Sequence, residues 1–138
     1  MRKEKPSKVV IYTDGASLGN PGRAGIGVII YSSDKSLIKK VGKFVGTATN
    51  NVAEYLALIY GLQEALGLKA KEVECFLDSE LLVRQLKGVY KVRNSKLLLF
   101  YNQVRHLQGL FKRADFHHIG RGKNSQADKL AKEAAKRG

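Results

Sequence analysis

The sequence predicts an α/β fold: a five-stranded mixed sheet that opens as an antiparallel meander, continues with parallel strands and is flanked by helices. Three observations lead there. Three strand-like segments separated by turn residues fill the first third of the chain. Apolar residues then recur at helical spacing. After that, short apolar runs alternate with amphipathic stretches, the order expected of strands and covering helices. With 138 residues, 43% of them hydrophobic, the chain suits one domain over 1–138 with a real core, preceded over 1–7 by a flexible basic arm.

Lys8 to Tyr12 is a short apolar run that ends at Thr13-Asp14-Gly15 and reads as a buried strand. Asp14 to Gly25 is rich in glycine and carries the turn signal Asn20-Pro21-Gly22. Gly25 to Tyr31 is a second strand, and Leu37 to Gly46 a weaker, alternating third. From Asn51 to Leu66, Leu58, Ile59, Leu62 and Leu66 share one helical face, with Gly67 as the stop. Glu72 to Asp78 is another buried strand. Ser79 to Lys87 is a short helix with Leu82, Val83 and Leu86 on one face. Ser95 to Phe111 is a longer helix carrying Phe100, Val104, Leu107 and Phe111. Ala114 to Ile119 is the fifth strand, Gly120 to Asn124 a loop, and Ser125 to Lys136 a helix whose Ala127, Leu130, Ala131 and Ala134 face inward.

Charge narrows the class of partner. Twenty-five Lys and Arg against 12 Asp and Glu give a formal +13. A field of that sign attracts polyanions, and in so small a domain it favours nucleic acid over a merely solvated basic surface. No apolar run is long enough to cross a membrane. Met1 to Lys8 is basic and polar, without the apolar stretch of a secretory signal. The single cysteine, Cys75, lies in the apolar run Val73-Glu74-Cys75-Phe76-Leu77 and reads as core, so an intramolecular disulfide is excluded and the cytoplasm is the expected compartment.

Four of the twelve acids sit at element ends. Asp14 ends the first strand, Glu54 lies in the first turn of the first helix, Asp78 ends the fourth strand, and Asp128 lies in the first turn of the last helix. Singly, each has a plain structural reading. Asn51 to Glu54 and Ser125 to Asp128 have the form of capping boxes, Asp78-Ser79 could cap the helix after it, and Asp14-Gly15 could be a turn. The set points elsewhere. Carboxylates at the ends of neighbouring apolar strands repel unless protonated or bridged by cations. Oxygen ligands without His or Cys favour Mg²⁺ or Mn²⁺ over Zn²⁺. A carboxylate cluster with two such ions suits in-line phosphodiester displacement.

The motifs around these acids resemble the type 1 ribonuclease H family. Tyr12-Thr13-Asp14-Gly15-Ala16-Ser17 with Gly19-Asn20-Pro21-Gly22 resembles its opening motif, and Thr49-Asn50-Asn51-Val52-Ala53-Glu54-Tyr55 its T-N-N-x-x-E helix start. Leu77-Asp78-Ser79-Glu80-Leu81 and Asn124-Ser125-Gln126-Ala127-Asp128-Lys129-Leu130-Ala131 resemble its third and last motifs. The resemblance covers nearly the whole chain. It implies the ribonuclease H fold, with helices on both sheet faces, and endonucleolytic cutting of the RNA strand of RNA–DNA hybrids to 5′-phosphate and 3′-hydroxyl ends. It also implies Asp14, Glu54, Asp78 and Asp128 as catalytic metal ligands for two Mg²⁺ or Mn²⁺ ions in the substrate complex. Gly15, Ser17, Asn20, Thr49, Asn50 and Asn51 match positions that contact the hybrid, whose A-like minor groove displays 2′-hydroxyls.

Two departures from the family pattern stand out. Many members carry a His in the loop before the last acid; here Gly120-Arg121-Gly122-Lys123 occupies it with Arg121 as the counterpart, which cannot serve as a base near neutral pH but could still hold the scissile phosphate. His117 and His118 lie in the preceding strand and read as structural. The basic protrusion of some members is reduced to a short turn, whose Lys87, Lys91 and Arg93, with Lys96, either hold the DNA strand or form a solvated basic turn. The expected protein is a monomer acting on hybrid. A related nuclease that also cuts double-stranded RNA is one alternative, and a non-catalytic hybrid-binding module, which would be expected to lack an acid, is another.

Overall fold

The computed structural model describes residues 7–138. The elements run β1 (Lys8–Ser17), β2 (Gly22–Ser32), β3 (Leu37–Ala48), α1 (Asn50–Gly67), β4 (Glu72–Leu77), α2 (Glu80–Leu86), α3 (Ser95–Gln108), β5 (Arg113–His118), a 3₁₀ turn (Arg121–Lys123) and α4 (Ser125–Arg137). The strands form one sheet in the order β3-β2-β1-β4-β5. β1, β2 and β3 pair antiparallel; β1 with β4 and β4 with β5 pair parallel. This is the expected mixed sheet. Of the expected basic arm, residues 1–6 lie outside the described residues, whereas the Ser7 carbonyl accepts from the Lys71 and Glu72 amides and is tied to the sheet.

Two boundaries differ in ways that matter. Asp14 does not end β1, which continues through Gly15 to Ser17 because the antiparallel ladder with β2 runs on to Ser17 opposite Ala24. The parallel ladder with β4 stops at Thr13 opposite Leu77. Asp14 is thus the first β1 residue past the end of β4, where a side chain can leave the sheet without leaving the strand. The longer helix ends at Gln108 rather than Phe111, and Phe111 still packs in the core from the connection that follows. Gly67 is the last residue of α1 rather than the one after it, and the chain reverses at Lys69, which has φ +63°.

The core sits on both sheet faces. Val9 and Ile11 of β1 and Leu58 and Leu62 of α1 are fully buried in one cluster. α3 adds Leu97, Val104 and Leu107, and α2 adds Leu82, Val83 and Leu86. On the opposite face α4 lies almost on the backbone of β2: a Cβ on Gly27 would fall 2.1 Å from the Ala127 carbonyl oxygen, and one on Gly25 2.3 Å from that of Ala131. The small residues Ala127, Ala131, Ala134 and Ala135 make this approach possible. Cys75 is completely buried in β4 between Ile11 of β1 and Phe116 of β5, and burial pushes its thiol pKa up. His117 stacks on Phe76, with ring centroids 5.0 Å apart, in line with a structural role.

Candidate active site

The four acids converge at the edge of one cleft of about 330 Å³. Asp14, Glu54 and Asp78 each offer a carboxylate oxygen within 4.8 Å of the others. Asp14 comes from β1 just past the parallel ladder, Asp78 from the residue after β4, and Glu54 from the start of α1. Asp128, in the first turn of α4, also lines the cleft and interacts with Asp14, but stands outside this triad.

The backbone brings these groups together in ways that replace the capping readings. Thr49, not Asn51, caps α1, its hydroxyl accepting from the Val52 amide at 3.2 Å. Glu54 does not reach back to its own helix; its carboxylate accepts from the Gly15 amide at 2.5 Å, joining α1 to β1. Only glycine fits at position 15, since a Cβ there would lie 2.2 Å from the Ala53 carbonyl carbon. Of the pair Asp78-Ser79, it is Ser79 that caps α2, its hydroxyl accepting from the Leu82 amide, which leaves Asp78 free for the cleft. Ser125 to Asp128 forms no capping box: Asn124 stands at the N-cap without a side-chain cap bond, and Asp128 faces Lys132 at 3.0 Å.

Burial and mutual repulsion disturb the acids strongly. Asp14 and Glu54 are 5% and 8% exposed, so their charges are largely removed from water. Burial first, then the hydrogen bond to Glu54 and the neighbouring charges of Glu54 and Asp78, push the Asp14 pKa up to about 11. The Glu54 pKa is also raised, chiefly by burial, against the hydrogen bonds from Asp14 and Gly15 and the charge of Arg121. Cations would offset both the burial and the repulsion of such a cluster. All-oxygen donors at this spacing fit a hard divalent ion.

The other expected site residues divide. Gly15, Ser17, Asn50, Asn51 and Arg121 line the cleft. Asn20 supports it from behind, its carboxamide oxygen accepting from the Asn50 amide at 3.1 Å. Ser17 is fixed by its hydroxyl, 2.8 Å from the Ala48 carbonyl, and its backbone amide donates to Asn50 Oδ1 at 3.0 Å. Thr49 is a helix cap and does not line the cleft. Lys87, Lys91, Arg93 and Lys96 are exposed around the start of α3, away from the cleft-lining residues. A larger groove of about 620 Å³ lies on the α4 face, lined by Tyr12, Tyr31 and Phe76; its one carboxylate, Glu74, is paired with Lys8, so it lacks the makings of a metal site.

Two further residues shape the cleft beyond those expected from the sequence. Asn124 is 2% exposed; its amide nitrogen donates to the Thr13 carbonyl at 2.9 Å and to Asp78 at 3.3 Å, tying β1, the end of β4 and the start of α4 together. A polar residue just ahead of a helix reads as a cap, which hid this role. Lys132 lines the cleft four residues after Asp128, a same-face spacing that the sequence does display.

The strand order and the carboxylate cluster define a ribonuclease H-like domain, and comparison with known proteins agrees. The family model described as Reverse transcriptase-like matches residues 12–134. A ribonuclease HI of Halobacterium salinarum is 36% identical over 134 residues, covering 97% of this chain and 67% of the relative. A bifunctional protein of Mycobacterium tuberculosis is 44% identical over 128 residues, 92% of this chain but 35% of the relative, so the chain spans about a third of that protein. Among solved structures, ribonuclease H1 of the same Halobacterium superposes with TM-score 0.92 at 37% identity, covering 95% of this chain and 99% of the other. LC11 ribonuclease H1, isolated from compost by a metagenomic approach and solved in complex with an RNA/DNA hybrid, superposes with TM-score 0.88 at 41% identity, covering 94% and 97%. The chain belongs to the type 1 ribonuclease H family.

Proposed function

We propose that the chain hydrolyses the RNA strand of RNA–DNA hybrids endonucleolytically, using two Mg²⁺ or Mn²⁺ ions and leaving 5′-phosphate and 3′-hydroxyl ends. The observation that carries this reading is the gathering of Asp14, Glu54, Asp78 and Asp128 around one cleft with Asp14 at the centre. The family membership and the hybrid bound by the LC11 relative support the substrate. Asp14, Glu54 and Asp78 would hold one ion, and Asp14 with Asp128 the other. Bound there, such ions lower the pKa of an attacking water and stabilise the departing 3′-oxygen.

The chain's own residues do the rest. Asn50 uses its carboxamide oxygen on Ser17, which leaves its NH₂ group as a donor at the cleft. Gly15 and Ser17 offer no bulk against a minor groove, so 2′-hydroxyls can come close. Arg121, exposed in the 3₁₀ turn beside the acids, holds the scissile phosphate through its guanidinium, which stays charged throughout. The exposed Lys87, Lys91, Arg93 and Lys96 meet the DNA backbone.

Cleavage of labelled hybrid, double-stranded RNA and double-stranded DNA in parallel, each with Mg²⁺, Mn²⁺ or EDTA, tests the proposal. Cutting of the hybrid RNA strand only with a divalent ion, to 5′-phosphate ends, is expected. Full activity in EDTA, or 2′,3′-cyclic phosphate products, would overturn the mechanism. Equal cutting of double-stranded RNA would widen the substrate class to the related-nuclease alternative.

A further inference from the structure

Of the four acids, Asp128 alone stands outside the triad, and it already has a cationic partner. Lys132 Nζ lies 3.0 Å from Asp128 Oδ2, one turn farther along α4, and both residues line the cleft. Asp14 interacts with the acids on both sides: Glu54 and Asp78 in the triad, and Asp128 at the start of α4. The cluster therefore divides about Asp14 into a half with three carboxylates and, among the described residues, no paired lysine, and a half whose outer carboxylate is matched by an ammonium. An ammonium and a divalent cation compete for the same oxygen atoms.

We propose that Lys132 is a positioning residue, the resident counter-ion of the Asp14–Asp128 half, and that a second divalent ion is accepted there only as Lys132 leaves Asp128. The proposal rests on the metal reading given above and deepens it. It predicts an order. The triad, with no lysine to displace, fills first, and the other half fills once the ammonium has an alternative anion. A substrate phosphate entering the cleft is such an anion. Lys132 is well exposed, with 58% of its side chain accessible, and a flexible four-carbon stem lets it move without disturbing α4. The competition is correspondingly modest, because a half-solvated pair of this type shifts an equilibrium by about two- to five-fold.

The test needs neither substrate nor turnover. The metal-free chain, without nucleic acid, is titrated with Mn²⁺, and ions are counted by calorimetry and electron paramagnetic resonance. The wild type is expected to bind one ion more tightly than the second. Lys132→Met, which keeps the stem and removes the charge, is expected to tighten the second ion by about two- to five-fold and leave the first unchanged. Lys132→Arg should restore the wild-type second affinity, and Lys136→Met, one turn farther along α4, should match wild type throughout. An unchanged second-ion affinity in Lys132→Met would overturn the proposal. So would equal tightening of both ions, the mark of a general loss of positive field rather than of competition at Asp128. Asp14→Asn in the same titration separates the two levels: wild-type Mn²⁺ binding by that variant would overturn the metal reading itself.

Discussion

Asp14 is nearly inaccessible to solvent and interacts with every other acid of the cluster, so its protonation should govern both metal binding and metal-free stability. Asp14→Asn keeps the size of the side chain and removes the charge. Hydrolysis of hybrid should fall to background, while the melting temperature of the metal-free protein holds or rises near neutral pH, because the variant folds without the proton that the buried Asp14 carboxyl must take up. A structural aspartate would give the reverse, mild loss of activity with a lower melting temperature. The sign of the pH dependence follows from the same residue. Its carboxyl pKa is raised on folding, from 3.8 to about 11, so its contribution is fully present below about pH 4 and is lost progressively as pH rises toward about 11. In EDTA the wild-type melting temperature should therefore decline through that window more steeply than that of Asp14→Asn, and thermal scans over a pH series measure it. Asn124 makes a separate prediction. Asn124→Ala removes the donor shared by the Thr13 carbonyl and Asp78. It should lower stability by about 1–3 kcal/mol and weaken Mg²⁺ binding about ten-fold, as read by denaturant melts and calorimetry; unchanged Mg²⁺ affinity would confine the residue to folding.

At the scale of elements, the site is a meeting of β1 beyond its parallel ladder, the exit of β4, the first turn of α4 and the second turn of α1, where Glu54 falls because the helix begins at Asn50 and has no acid in its first turn. The seating of α4 on Gly25 and Gly27 fixes where Asp128 stands. Gly27→Ala would drive a methyl into the Ala127 carbonyl, so α4 must shift. About 1–3 kcal/mol of stability should be lost, with cleavage falling more than hybrid binding because Asp128 moves relative to Asp14; equal loss of both would mean that α4 positions the substrate instead. Much of this arrangement was legible in the sequence. Strand and helix periods located every strand and α-helix, since each buries one face, but not the 3₁₀ turn Arg121–Lys123, which reads as loop; acids at element ends stood out because they interrupt apolar runs. Where Glu54 and Asp128 direct their carboxylates was not legible. A capping box and a cross-strand bond use the same residue types at the same spacing, and only the close approach of Gly15 to Ala53 decides that Glu54 bonds β1. Asn124 was hidden for the same reason. The extension of β1 past Asp14 was missed because Gly15 reads locally as a turn, whereas pairing with β2 holds it extended.

Over the whole molecule, the formal +13 charge should make hybrid binding strongly salt-dependent, as counterions leave the phosphates. Lys87, Lys91, Arg93 and Lys96 are exposed and make no ion pair among the described residues. If each meets a phosphate, Lys91→Ala should reduce the slope of log affinity against log salt by roughly 0.7–0.9, without altering cleavage position. A flat salt response of the wild type would rule out the basic surface as the binding face, and an unchanged slope in the variant would leave Lys91 as a solvated turn residue.

Cys75, sealed between β1 and β5 in the middle of the sheet, makes the protein its own clock. The sulfur faces the helical layer, on the same side as its register partner Ile11, which packs on α1, so a thiol reagent reaches it only when that packed core opens, and the rate of modification counts those openings without any introduced probe. The acids lie on elements that open with it. An ion gripping β1, β4 and α1 at once should lengthen the interval between openings by the factor 1 + [ion]/Kd. Slower labelling in Mg²⁺ for the wild type, with no change for Asp14→Asn, would turn one inert cysteine into a gauge of how firmly the cation staples the sheet.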